Sequence, residues 1–216
     1  SHFVRRQPDW PALLLFIAIL FGGLVRFMPA ALTRFPLNDG GMFYTMAQEL
    51  SANGYSLPAT TSYNGLDLPY AYPPFGIYLA SLLADVGRVP LLGVFLWLPP
   101  LLSLFTIPAF YLLARALLAD NLRADLATLL FALTPGRYDW HIMGGGVTRA
   151  PGMLFLLLAA FYVLRLFQNP GLRGDSHFRS DRYLAPAILF CSLAVLSHPE
   201  VGLQTFGLCF ILWLFF

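Results

Sequence analysis

The chain has 216 residues, of which 58% are hydrophobic and only 11% charged, and its mean hydropathy is +0.67. A soluble domain carries about 25% charged residues, so a chain this apolar cannot cover its surface with polar groups and takes the bilayer as its solvent. The formal net charge of +2, with no basic run and no aromatic-and-basic platform, gives nucleic acid nothing to hold and excludes it as a partner.

The first apolar run, residues 11–32, holds one charge, Arg26, near its far end. It is long enough to cross a hydrocarbon core, which needs about 20 residues. It exceeds the apolar part of a cleaved signal peptide, and no Ala-x-Ala site follows. Arg5 and Arg6 precede it and place the N-terminus in the cytoplasm by the positive-inside rule.

Residues 33–89 then form a long loop. Asp39 lies early in it, within Pro36-Leu37-Asn38-Asp39-Gly40-Gly41, ahead of an amphipathic stretch with Met42, Phe43, Met46, Ala47 and Leu50 on one face. Two compatible roles suit it: the N-cap of that helix, or a surface carboxylate acting as general base toward a hydroxyl. Farther on, Tyr70-Ala71-Tyr72-Pro73-Pro74 opens a second amphipathic helix, over residues 73–86. Phe75, Tyr78, Leu79, Leu82, Leu83 and Val86 make one apolar stripe, with Gly76, Ser81 and Asp85 off it. This helix is too short to cross comfortably and reads as lying in the membrane interface. Tyr70 fits an aromatic belt, and Tyr72 a wall for an isoprenoid chain or a sugar ring.

Further spans are expected at about residues 90–114, 124–135, 150–166, 184–197 and 201–216, the third and fifth of the six being short. Charge placement sets the topology. With residues 73–86 on the surface, Arg5, Arg6, Arg115, Arg123, Arg165, Arg173, Arg179 and Arg182 are cytoplasmic, eight of the 13 arginines. Were that segment to span, Arg115, Arg123 and the Arg165–Arg182 cluster would move outside, against the positive-inside rule. Asp39, Asp67, Arg137, Asp139, His141, Arg149, His198 and Glu200 then face one external aqueous boundary. The expected fold is an all-α, polytopic transmembrane bundle, one domain over residues 1–216, with a long external first loop carrying interfacial helices. A chain without a starting Met that ends inside an apolar run, at Leu214-Phe215-Phe216, is expected to be the N-terminal part of a longer membrane protein.

Two external segments join Asp39 as candidates. The loop 136–149 runs Gly136-Arg137-Tyr138-Asp139-Trp140-His141 and then Gly144-Gly145-Gly146-Val147-Thr148-Arg149. No Gly-Lys-Ser/Thr follows the glycines, so this is not a nucleotide loop. Arg137 and Arg149 are suited to grip a phosphate through forked hydrogen bonds, or else to snorkel toward headgroups. The turn His198-Pro199-Glu200 places ionisable groups between two apolar runs, where they count as functional candidates or as a tight turn reaching water. His141, His198, Asp39 and Glu200 are residue types that hold divalent metal ions, yet no pair has a diagnostic spacing, so metal binding stays open. Gly-x-Ser-x-Gly and His-Glu-x-x-His are absent, which removes serine hydrolases and zincins. Cys191 and Cys209 sit in apolar runs, where no structural disulfide is expected.

A span, an Asp in a short polar motif and an external loop with surface helices together resemble the GT-C glycosyltransferases. The likeness is to the bacterial family 39-like branch of protein O-mannosyltransferases and aminoarabinose transferases. It rests on Asp39, on Tyr72-Pro73-Pro74-Phe75-Gly76-Ile77-Tyr78-Leu79, on Tyr111-Leu112-Leu113-Ala114-Arg115 and on Arg137-Tyr138 after a proline. The mannosyltransferases have Asp-Glu where this chain has Asp39-Gly40, and the branch's His before Pro-Pro is Tyr72 here. The resemblance implies transfer of a hexose or pentose from a polyprenyl-phosphate donor to a protein, lipid or glycan acceptor, at the outer face of a prokaryotic plasma membrane. It matches Asp39 to the first-loop acidic residue, which in the family acts as base or helps hold a metal. Arg137 or Arg149 would meet the leaving phosphate, with Tyr72, His141, His198 and Glu200 around the substrate. The competing classes are a polytopic transporter or lipid flippase, which calls for paired broken helices, and a scaffold subunit in which Asp39 is only a cap. Pro99-Pro100 and Pro108 interrupt one span, and no matching pair is found elsewhere.

Overall fold

The computed structural model describes residues 10–36, 38–118, 120–168 and 177–215. Arg5, Arg6, Leu37, Arg173 and Phe216 lie outside the described residues. Nine helices occur among those described: α1 Trp10–Leu32, α2 Gly40–Ala52, α3 Phe75–Gly87, α4 Leu91–Leu117, α5 Asn121–Leu133, α6 Asp139–Ile142, α7 Gly146–Gln168, α8 His177–Ser197 and α9 Pro199–Phe215. Among the described residues the strands are a two-stranded antiparallel ladder between α2 and α3, β1 Thr60–Thr61 against β2 Leu68–Pro69.

Among the described residues three helices, α1, α4 and α7, are long and apolar enough to cross a membrane. The outer faces of α1, α4 and α9 carry large exposed apolar side chains, among them Phe16, Leu24, Phe105, Leu203 and Phe206. A monomeric soluble protein rarely exposes contiguous apolar area on this scale, so the surface is that of a membrane protein. The prolines of α4 do not stop it, and the helix runs past the predicted boundary to Leu117. Prolines are tolerated in such helices where neighbouring groups satisfy the freed carbonyls.

The other predicted spans differ in length. The span expected at 124–135 is α5, whose 13 residues reach about 20 Å, short of a hydrocarbon core of roughly 30 Å. Asp120 caps its start by accepting from the Leu122 N–H at 2.8 Å. It ends where Thr134 precedes Pro135, because a residue before proline is forced out of the helical region. The span expected at 150–166 is α7, which begins at Gly146 and so takes Thr148 and Arg149 out of the preceding loop and into its first turn. The 184–197 and 201–216 segments fall in α8 and α9, whose apolar parts, Arg182–Ser197 and Pro199–Phe215, are shorter than the three long helices.

Helices α4 and α7 form the centre. α1 and α5 pack on α4, and α8 and α9 pack on α7 and on each other across the single joint residue His198. The segment between α1 and α4 docks on one end of this bundle. There Phe43, Met46, Ala47 and Leu50 of α2 and Ile77, Ala80 and Ala84 of α3 share a core with Val94, Phe95 and Leu98 of α4 and Val147 of α7. The predicted apolar face of α2 is the one buried. In α3 the buried face is the small-residue side, Gly76, Ile77, Ala80, Ser81 and Ala84, while Leu82, Leu83 and Val86 of the predicted stripe point out of the protein. Ser81 is therefore not on a water-facing side: it donates to the Ala47 carbonyl at 2.9 Å, between the two helices. Tyr70 is likewise a strut for α2, donating to the Met46 carbonyl at 2.8 Å. Gly76 makes the docking tight, since a Cβ there would run into the Val147 carbonyl and lie 3.0 Å from the Thr148 Cα.

Candidate functional site

The end of the bundle that receives α2 and α3 is also where α1 and α5 finish and where α7 and α9 begin. Asp39 occupies the residue before α2, yet its side chain makes no capping bond to that helix. Its Oδ1 instead accepts the Gly145 N–H at 2.8 Å, and its Oδ2 faces Arg149 Nη1 at 3.6 Å. The capping role is thus corrected: the carboxylate joins the first loop to the start of α7. Gly145 is required at that point, because a Cβ would stand 2.8 Å from both carboxylate oxygens and 2.6 Å from Arg149 Nη1. Arg149 in turn lies over the Trp140 ring, 5.2 Å from its centroid, and its buried Nη1 has no hydrogen-bond partner.

Beside this pair opens a cavity of about 480 Å³. The loop contributes Arg137, Asp139, Trp140 and His141, α7 contributes Arg149 and Met153, and the joint and start of α9 contribute His198, Glu200, Val201 and Gln204. A 3-10 turn, Pro135–Arg137, and the short α6 carry the loop residues into place. Five of the candidates read from the sequence, Arg137, His141, Arg149, His198 and Glu200, therefore line one cavity, though they span residues 137–200. Asp39 and Tyr72 stand directly behind the wall, Asp39 through Arg149 and Tyr72 through the His198 ring, whose centroid is 5.8 Å from its own. Asp67 is not part of the site and lies on a separate groove with Glu49 and Ser62.

The electrostatics of the cavity are uneven. His198 is only 6% exposed, and neither of its ring nitrogens has a partner. Burial, and then the Arg149 charge, push its pKa down, against weaker pulls from Glu200 and Asp39. Burial likewise holds His141 down to about 4, against a hydrogen bond to the Arg137 backbone, and its Nδ1 is unpartnered. Burial raises the Tyr72 phenol, with a side-chain bond to Thr148 opposing. At neutral pH both imidazoles are uncharged, each offering one N–H and one lone pair. A buried polar group left without a partner costs about 1–3 kcal/mol, so three such side chains around one cavity mark a place that a polar ligand would satisfy.

No family model, curated protein or solved structure matches this chain. The site therefore rests on its own geometry. Among the described residues no three His, Cys, Asp or Glu side chains converge as a metal site. Cys191 and Cys209 are free thiols in contact across α8 and α9, with their sulfurs 3.9 Å apart.

Sequence reasoning missed Arg26. It is fully buried, and donates through Nε to Ser103 Oγ at 3.0 Å and through Nη1 to the carbonyls of Gly22 at 2.9 Å and Ala132 at 2.6 Å. Its guanidinium also lies 4.5 Å from the centroid of the Tyr138 ring, in the loop that lines the cavity. A single Arg inside an apolar run was the available signal, since a charge at such depth is costly and has a partner or a task.

Proposed function

We propose that this protein is an integral-membrane glycosyltransferase of the GT-C type. It would move a sugar from a polyprenyl-phosphate donor to an acceptor hydroxyl at the external face of a prokaryotic plasma membrane, with its N-terminus in the cytoplasm. The observation that carries the reading is the cavity itself, lined by Arg137 and Arg149 and by two uncharged histidines, where Arg149 Nη1, His141 Nδ1 and both His198 nitrogens are buried without partners. A phosphate supplies the acceptor oxygens such a donor set calls for. Met153 and Val201 give one wall an apolar character, as a lipid-linked ligand requires. The outward apolar stripe of α3 and the clustering of arginine in the opposite loops support the same orientation.

A donor phosphate held by Arg137 and Arg149 draws Arg149 away from Asp39 and frees Oδ2, while Oδ1 keeps its bond from Gly145. Asp39 then takes the proton of the acceptor hydroxyl as its oxygen bonds to the anomeric carbon. The bond from that carbon to the phosphate oxygen breaks, and the polyprenyl phosphate leaves with its charge met by the arginines. A single displacement inverts the anomeric configuration.

A lipid flippase or transporter is the second reading, favoured by one observation, the fully buried charge of Arg26 inside the bundle. Its bonds to Ser103, Gly22 and Ala132 make it a cross-link between helices, which weakens that reading. The test is transfer of labelled sugar from polyprenyl-phosphate donors by membranes holding the full-length protein, beside Asp39→Asn. Loss of about 100- to 10,000-fold in rate at unchanged expression is expected for removal of a general base. Transfer that survives the substitution would keep the enzyme and discard Asp39 as base. No transfer from any donor would favour the flippase, to be followed by lipid-scrambling assays.

A further inference from the structure

Arg26 donates three hydrogen bonds from inside the bundle, and its position bears on what holds the cavity loop in place. Gly22, one turn earlier in α1, leaves the space it fills: a Cβ there would meet Ile107 Cδ1 at 2.5 Å, Ala132 Cβ at 3.1 Å and Arg26 Nη1 at 3.2 Å. The guanidinium is thus pinned from three helices, by Gly22 of α1, Ser103 of α4 and Ala132 in the last turn of α5. Being planar and held in its own plane by these bonds, it offers a flat face. Tyr138 occupies that face at 4.5 Å, and Tyr138 is flanked in sequence by Arg137 and Asp139, which both line the cavity.

We propose that Arg26 is a positioning residue for the cavity: through Tyr138 it fixes the segment 136–142 so that Arg137 and His141 face the ligand. The part concerning ligand rests on the phosphate reading above; the clamp itself does not. The segment has other ties, α6 packing on α7 and α4 and Trp140 lying under Arg149, but α6 is a single turn and no side-chain bond caps it. A cation over a ring is worth more in a desolvated place than on a surface, and Arg26 is fully buried, so this contact is a principal hold on the segment. The same placement puts the Arg26 charge within electrostatic reach of His141, where it joins Arg149 in opposing protonation while Asp139 favours it.

The test uses the full-length protein in lipid nanodiscs, with Arg26→Lys, Tyr138→Leu and the double variant. Lys keeps the buried charge but has no planar face, and Tyr138→Leu leaves the three-helix bonding untouched. Without ligand, hydrogen exchange over residues 136–142 is expected to speed up about tenfold or more in each single variant, with α1, α4 and α5 unchanged in Tyr138→Leu. Exchange that stays at the wild-type rate in Tyr138→Leu would overturn the clamp, whatever the ligand proves to be. Titration with farnesyl phosphate is expected to show about tenfold weaker binding in each single variant and no further loss in the double one, the mark of residues acting as a unit. Equal affinity in wild type and variants, or additive losses, would overturn the positioning role. Absence of binding to wild type would remove the phosphate reading and leave the clamp to be judged by exchange alone.

Discussion

The segment between α1 and α4 and the segment between α5 and α7 are both rich in polar side chains, but they use them in opposite ways. In the first, polar groups are spent on one another. Ser51 and Tyr55 both donate to Asp85 at 2.5 Å, holding its carboxyl below the ordinary range. Tyr70 and Tyr78 donate to backbone carbonyls, and Ser62 donates to Glu49 at 2.6 Å. At the second, His141 Nδ1 and, from the cavity's other walls, Arg149 Nη1 of α7 and both nitrogens of His198 are buried without hydrogen-bond partners. The first segment is a scaffold that bonds within itself, with Glu49 Oε2 and Thr61 Oγ1 as its buried atoms lacking a partner, and the second borders a site whose bonds await a ligand. Asp39 is the hinge between them, contributed by the first segment and engaged by Gly145 of the second and by Arg149 in the first turn of α7.

The largest effect that would sharpen this contrast is expected from Arg149→Ala. Removing one partner of a desolvated charge pair costs about 2–5 kcal/mol, so binding of a prenyl phosphate should weaken by about 100-fold or more, measured by titration calorimetry. An unchanged affinity would place the anion elsewhere. Next comes Gly76→Ala, which forces a methyl against the backbone at Val147 and Thr148. Overpacking costs about 1–3 kcal/mol, and thermal unfolding should show the docked α2–α3 unit loosening while the cavity side chains remain unaltered in type.

A pH scan separates the two segments more finely. His141 holds near 4 when folded against an ordinary value of 6.5, so below about pH 6.5 the unfolded chain takes up a proton that the folded one refuses. Folded stability from this group is therefore complete above pH 6.5, falls as pH drops toward 4, and levels off beneath it. His141→Gln should flatten that part of the melting-temperature curve; a curve of unchanged slope would show that His141 does not cause it. The smallest effect is expected from Tyr70→Phe, which loses one bond to the Met46 carbonyl. About 1 kcal/mol of stability should go, with sugar transfer unaffected; a large loss of transfer would break the division between scaffold and site.

Much of this architecture is legible in the chain, because it depends on local pattern. The spacing of Phe43, Met46, Ala47 and Leu50 states the buried face of α2, whereas the stripe of α3 divides, Tyr78 and Leu79 packing on the core and Leu82, Leu83 and Val86 pointing out. The candidate residues could be picked by type and by their place beside apolar runs. Their mutual geometry could not, because it depends on contacts far apart in sequence: Asp39 and Gly145 are separated by 106 residues, as are Arg26 and Ala132. For the same reason Asp39 looked like a cap, its local chance of a bond being visible and its distant one not. Arg26 looked like a charge near a helix end, since nothing in the sequence of α1 announces Ser103 or Tyr138. The two-residue strands Thr60–Thr61 and Leu68–Pro69 are too short to leave an alternating pattern.

The most direct test is to locate the ligand. A photoreactive polyprenyl phosphate, incorporated with the full-length protein into lipid vesicles and irradiated, should label peptides containing Trp140, Met153 or Gln204, and excess unlabelled polyprenyl phosphate should compete the label away. Label confined to the Glu49–Asp67 groove, or spread along the outer faces of α1 and α9 and not competed, would contradict the assignment of the cavity as the donor site.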